Sequence, residues 1–98
     1  MITLDAINEF FKSEKSRFQI VETNIKGEVK TYHYCVKHDN GKLGNLYETL
    51  DDVFKDLAIF IYIKNRNNDL LYTMSGNYDE KDIQEAENYI LGFQNNAQ

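Results

Sequence analysis

The side chains of this chain best suited to chemistry stand close together: His33, Cys35 and His38, with Asp39 beside them. A thiolate–imidazole pair needs its two groups within hydrogen-bond reach and a third group to orient the histidine. His33 and Cys35 are two residues apart in a run rich in β-formers, so they share a strand face, about 7 Å apart along the backbone. That separation fits a half-buried cysteine beside a surface histidine better than a catalytic dyad. Structural zinc takes four ligands in recognisable pairs, and these residues, even with Asp39, lack that spacing. The five glycines, at 27, 41, 44, 76 and 92, are scattered singly, so none builds a phosphate loop. Carboxylates are plentiful, but in the last helix Glu80 and Glu87 flank the apolar stripe on one side and Asp82 and Glu85 on the other. That is a solvated helix face, not a paired acid–base site. The expectation is a non-enzymatic protein with no cofactor and no metal.

The elements that would position these residues read from the pattern. Thr3 predicts an N-cap, followed by Leu4, Ile7, Phe10 and Phe11 at helical spacing and a polar stop at 12–16. Phe18–Ile25 predicts a first strand, Lys26-Gly27-Glu28 a turn, and Val29–Lys37 a second strand whose Tyr32, Tyr34 and Val36 face suits packing under a helix. His38-Asp39-Asn40-Gly41-Lys42 joins it to a short third strand, Leu43–Tyr47. Asn-Gly there is a strong hairpin signal, because both central residues of a type I′ turn need positive φ. Thr49 or Asp51 caps a second helix with Leu50, Val53, Phe54, Leu57, Phe60 and Ile61 on one face. Ile59 and Ile63 fall on the opposite side and need cover from another helix or a partner. The run 58–63 also fits a strand, because its periodicity is ambiguous; helix is favoured. Leu70–Met74 reads either as a short strand or as an irregular connection. Asp79 caps a last helix with Ile83, Ala86, Ile90 and Phe93 inward, and 94–98 is expected to fray. The expected fold is a single α+β domain over 1–98: an N-terminal helix, a three-stranded antiparallel meander and two C-terminal helices packed on one face of the sheet.

A chain of 98 residues buries only about 60–65 % of its unfolded surface, so it holds one small core. Six phenylalanines and seven tyrosines supply that core and argue against disorder. One cysteine excludes an internal disulfide. No apolar run is long enough to span a bilayer, and Asp5 precedes any apolar run, so neither a signal peptide nor a membrane partner is expected. The expected compartment is cytoplasmic.

Charge is uneven. Residues 1–48 hold seven acids and seven bases, whereas 49–98 hold nine acids and four bases, so the whole net charge of −5 lies in the C-terminal half. An acidic half repels nucleic acid and favours a basic protein partner. The order helix, three strands, helix is also that of double-stranded RNA-binding domains, which contact phosphates with basic side chains at the start of the second helix. Here that place holds Asp51, Asp52 and Asp56, with Lys55 as the lone cation. A sheet lined by Lys26, Lys30, Lys37 and Lys42 is a weaker version of the same idea, on the pattern of integrase arm-binding domains. No direct nucleic-acid contact is expected. The residues expected to meet a protein partner are Asp51, Asp52, Asp56, Asp69, Asp79, Glu80 and Asp82. Ile59 and Ile63 join them as an apolar stripe through which a homodimer stays open.

In layout, the chain resembles the small phage-encoded anti-CRISPR inhibitors of RNA-guided nucleases. The resemblance runs through Leu4-Asp5-Ala6-Ile7-Asn8-Glu9, the Asp39-Asn40-Gly41 turn, and Tyr78-Asp79-Glu80-Lys81-Asp82. It implies an inhibitor that blocks a substrate-binding or nuclease surface through acidic side chains, here Asp69, Asp79, Glu80 and Asp82. The charge is milder and the first hairpin longer than in that family, so direct capture of a protein surface is as compatible as DNA mimicry. An immunity protein that neutralises a nuclease toxin would show the same acidic face, and the sequence does not separate the two.

Overall fold

Thr3 starts the first helix, α1 (Leu4–Ser13), its hydroxyl accepting the Ala6 N–H at 3.2 Å. The computed structural model describes residues 2–24, 32–38, 41 and 43–96. Ala6, Ile7, Phe10 and Phe11 of α1 are fully buried. The helix ends without glycine: Lys15 takes a left-handed conformation (φ 59°), with its N–H bonded to the Lys12 carbonyl and the Ser16 N–H to that of Phe11. This is the pairing of a Schellman cap, which glycine usually supplies.

Three antiparallel strands follow in the order β1-β2-β3: β1 (Phe18–Asn24), β2 (Tyr32–His38) and β3 (Leu43–Tyr47). The expected 26–28 turn and the start of the second strand lie outside the described residues. Ile20 opposes Val36 and Tyr34 opposes Tyr47, and these four share the face toward the helices. Asn8 of α1 reaches the outer edge of β1, where its amide donates to the Ile20 carbonyl (2.9 Å) and accepts the Ile20 N–H (2.8 Å). The side chain thus stands in for a neighbouring strand at an edge that would otherwise be open to pairing.

Of the expected Asn40-Gly41 turn, Gly41 alone is among the described residues. The Gly41 N–H donates to the His38 carbonyl at 2.9 Å, and its φ of +83° is the left-handed conformation that favours glycine. Between the pairs Cys35↔Leu46 and Lys37↔Leu43 the register shifts by one, so Gly44 and Asn45 oppose Val36 alone, a β-bulge. A Cβ on Gly44 would lie 2.9 Å from the Val36 carbonyl oxygen.

Thr49 caps the second helix, accepting the Asp52 N–H at 3.1 Å. The helix, α2 (50–66), is continuous but not uniform. It is α over Leu50–Val53, π over Phe54–Ala58, and α again over Ile59–Arg66. The helical reading of 58–63 therefore holds, and the strand alternative falls. The π segment also corrects the placement of Ile59 and Ile63, which are 2 % and 3 % exposed. A π turn closes on a hydrogen bond between residues five apart, and here the Ile59 N–H bonds to the Phe54 carbonyl. That one extra residue rotates the following α segment, so Ile59 and Ile63 join Val53 and Phe54 in the core instead of opposing them. Neither isoleucine offers a surface to a partner or a second copy.

A short helix, α3 (Leu70–Ser75), and a long one, α4 (Glu80–Asn96), complete the chain. Ala86 and Ile90 of α4 are fully buried, with Ile83 and Phe93 packed beside them. The last turn of α4 is helical through Asn96, where fraying was expected, and Gln94 Oε1 accepts the Thr3 N–H at 3.1 Å. The helices cover one face of the sheet. Phe10 sits at their junction, with ring centroids of Phe11, Tyr62, Tyr89 and Phe93 at 6.0, 6.5, 6.0 and 6.2 Å. Above it the Arg66 guanidinium lies over the rings of Tyr62 (4.0 Å) and Tyr89 (4.7 Å) and forks onto both carboxylate oxygens of Glu14.

Candidate protein-interaction surface

The segment 69–82 carries four of the acids expected to meet a partner, and the structure makes it a helix on a pedestal. Asp69 is the N-cap of α3, its carboxylate accepting the Tyr72 N–H at 3.1 Å, and Gly76 ends the helix in a left-handed conformation (φ 74°). Both signals are visible in the sequence, an N-cap residue before an apolar run and a glycine after it. The structure replaces both the strand and the irregular reading of 70–74 with a helix.

One side of α3 is fixed to the start of α4. The Tyr72 hydroxyl donates to Asp82 Oδ2 at 2.5 Å and accepts the Asp79 N–H at 2.7 Å. The Tyr78 hydroxyl donates to the Thr73 carbonyl at 2.7 Å, and the Tyr72 and Tyr78 rings meet edge to face at 5.5 Å. The bond to the Asp82 carboxylate raises the Tyr72 pKa above the ordinary phenol value, and burial raises that of Tyr78. Thr73 is buried at 3 %.

The other side of α3 is apolar and faces water. Leu70, Leu71 and Met74 are 71 %, 86 % and 67 % exposed. Positions i, i+1 and i+4 lie on adjoining faces of a helix, so the three form one contiguous knuckle. Burying such a side chain fully is worth about 1.5–3 kcal/mol, and here only a minor part of that is realised within the chain. This is the feature that sequence reasoning missed. An apolar residue in a sequence is read as core, and only the fold shows that this one has nothing above it.

The predicted acids divide into two groups. Asp69, Asp79 and Asp82 converge on Tyr72, with Glu80 next in line on the first turn of α4. Asp51, Asp52 and Asp56 are exposed on the early turns of α2, where Asp51 pairs with Lys55 at 3.1 Å. Asp51 also borders a cleft of about 470 Å³ that includes Glu48 and Glu87, with Ile2, Tyr34 and Phe54 as apolar wall.

The histidine–cysteine stretch is not drawn together. Cys35 is buried at 5 % between Val21 and Leu46 on the sheet face away from the helices, and its sulfur lies 4.0 Å from the Val36 carbonyl oxygen. His38 points to the other face, its ring 5.7 Å from that of Phe18. His33 pairs across the ladder with Thr23. Among the described residues no three His, Cys, Asp or Glu side chains converge as a metal site, and no helix is long and apolar enough to cross a membrane. Comparison with protein-family models, with curated proteins and with solved structures gives no match. Fold and surface together define an α+β domain that presents an acid-flanked apolar knuckle.

Proposed function

We propose that this chain is a non-enzymatic inhibitor that binds a protein partner through α3. The observation that carries this reading is the exposure of Leu70, Leu71 and Met74 on a helix anchored by Tyr72, Thr73 and Tyr78. A face already fixed in place loses little further freedom on docking, and clustered apolar anchors supply most of the energy of an interface. The exposed acids Asp69, Asp79 and Glu80 favour a partner whose apolar pocket has a basic rim. Complementarity of that kind raises the association rate and selects the partner. Basic-rimmed surfaces are what nucleic-acid-processing effectors present to their substrates. The layout resemblance to anti-CRISPR proteins puts RNA-guided nucleases first among them.

The test is DNA cleavage by a panel of guide-loaded CRISPR nucleases, with and without the protein. Inhibition of one of them is expected, weakened at least about tenfold by Leu71→Glu and by the pair Asp79→Lys and Glu80→Lys, and weakened by added salt. No inhibition across the panel would overturn the choice of effector. Inhibition untouched by both variants would overturn α3 as the contact.

A further inference from the structure

Although the chain is acidic as a whole, its fold gathers cations on one face. The left-handed Lys15 turns the backbone at the end of α1 so that Ser16, Arg17 and Phe18 become a wall common to two cavities, of about 540 and 270 Å³. Lys12 and Lys37 line the larger cavity, and Lys15 and Lys64 the smaller. His38 borders both and holds its ring against Phe18 at 5.7 Å, while Phe11 supports Phe18 from the core side at 6.5 Å. Phe18 is still 36 % exposed. Among the described residues lining the two cavities, the carboxylates are Glu9 and Glu14, and Glu14 is already held by Arg66. The local field is therefore positive in a molecule whose average is negative, because none of the acids of 49–98 lines either cavity.

We propose that this face binds single-stranded nucleic acid, with phosphates against Lys12, Lys37, Lys15 and Lys64 and a base against the exposed part of the Phe18 ring. Grooves that track a strand combine spaced cations with an aromatic platform, because every base has a π-face and every linkage a charge. Cations spread over two adjoining cavities exceed what one phosphate needs, which favours a strand over a free nucleotide. A paired duplex keeps its bases stacked and offers none to Phe18. This site shares no residue with α3, so each proposal fails or stands without the other.

The test is fluorescence anisotropy with a labelled oligothymidylate of about twelve nucleotides, at several salt concentrations. Binding is expected, with a log–log salt slope of about −2 to −3, as three or four phosphate contacts on a single strand give. The pair Lys12→Glu and Lys37→Glu should weaken binding at least about tenfold, and Phe18→Leu at least about fivefold. The pair Lys55→Glu and Lys81→Glu changes net charge equally but lies outside the groove, and should weaken binding by no more than about twofold. Absence of binding at low salt, equal losses in the two charge-reversal pairs, or tighter binding of labelled ATP than of the oligonucleotide would each overturn the proposal. If Phe18→Leu fails to fold by circular dichroism, the two surface pairs still decide the outcome.

Discussion

Glu14 and Arg66 stand 52 positions apart and meet as a fork, with the guanidinium also covering Tyr62 and Tyr89. The bond to Arg66 holds the Glu14 carboxyl below the usual glutamate range, and the same bond raises Arg66. A carboxyl whose pKa is lowered by folding adds stability above its unfolded value, and that contribution is lost as pH falls through the lowered folded value. Glu14→Gln is therefore expected to cost roughly 1–2 kcal/mol at neutral pH, a charge-assisted hydrogen bond discounted for partial exposure. Urea denaturation at pH 7 and again near pH 3 checks this. The difference between the two proteins should shrink toward the acid end, as the Glu14 carboxylate of the parent takes up its proton. Gly44 is the second residue whose identity the structure explains. Gly44→Ala brings a methyl group onto the Val36 carbonyl and should destabilise by about 1–3 kcal/mol, as overpacking does, with a matching fall in Tm.

Among the elements, the π segment of α2 has the widest consequence. Phe54–Ala58 behaves as a helix with one residue inserted, and that residue brings Val53 and Phe54 into line with Ile59 and Ile63. Deleting the exposed Asp56 should restore i→i−4 bonding without turning either flank. A folded protein within about 2 kcal/mol of the parent is expected by thermal denaturation. Inserting one alanine between Phe60 and Ile61 should do the opposite. It rotates Ile61 and Ile63 by about 100° out of the core, at about 1.5–3 kcal/mol each, a large share of the total stability of a domain of this size. If the deletion unfolds the protein and the insertion does not, the register argument is wrong.

For the whole molecule, the decisive property is what the fold leaves uncovered. Leu71 is 86 % exposed, so Leu71→Glu should change the midpoint of unfolding by less than about 0.5 kcal/mol equivalent. The same substitution should remove inhibition if α3 is the contact. A large loss of stability in that variant would mean instead that the knuckle is part of the folding core. Charge follows the same logic at this scale. Acids gather at Tyr72 and on the early turns of α2, and cations gather around Phe18. The molecule therefore carries two faces of opposite sign that its net charge conceals.

Local chemistry was legible from the residues alone. The Thr3 and Thr49 caps, the three strands, the stripe of α4 and the positive φ at Gly41 each follow from the neighbours of a residue in the chain. The α+β order follows from them in turn. The acids of 69–82 were legible as a group for the same reason, since charge needs no partner to be counted. What lay beyond reach was everything set by contacts distant in sequence. A period of 3.6 places Ile59 and Ile63 outward, and only packing against the rest of the core selects the π turn that brings them in. Leu70, Leu71 and Met74 look like core residues until the fold shows nothing above them. Lys12, Lys37 and Lys64 become one face only when three separate elements meet around Phe18. Burial and cavity shape are sums over the whole chain, and tertiary structure alone performs that sum.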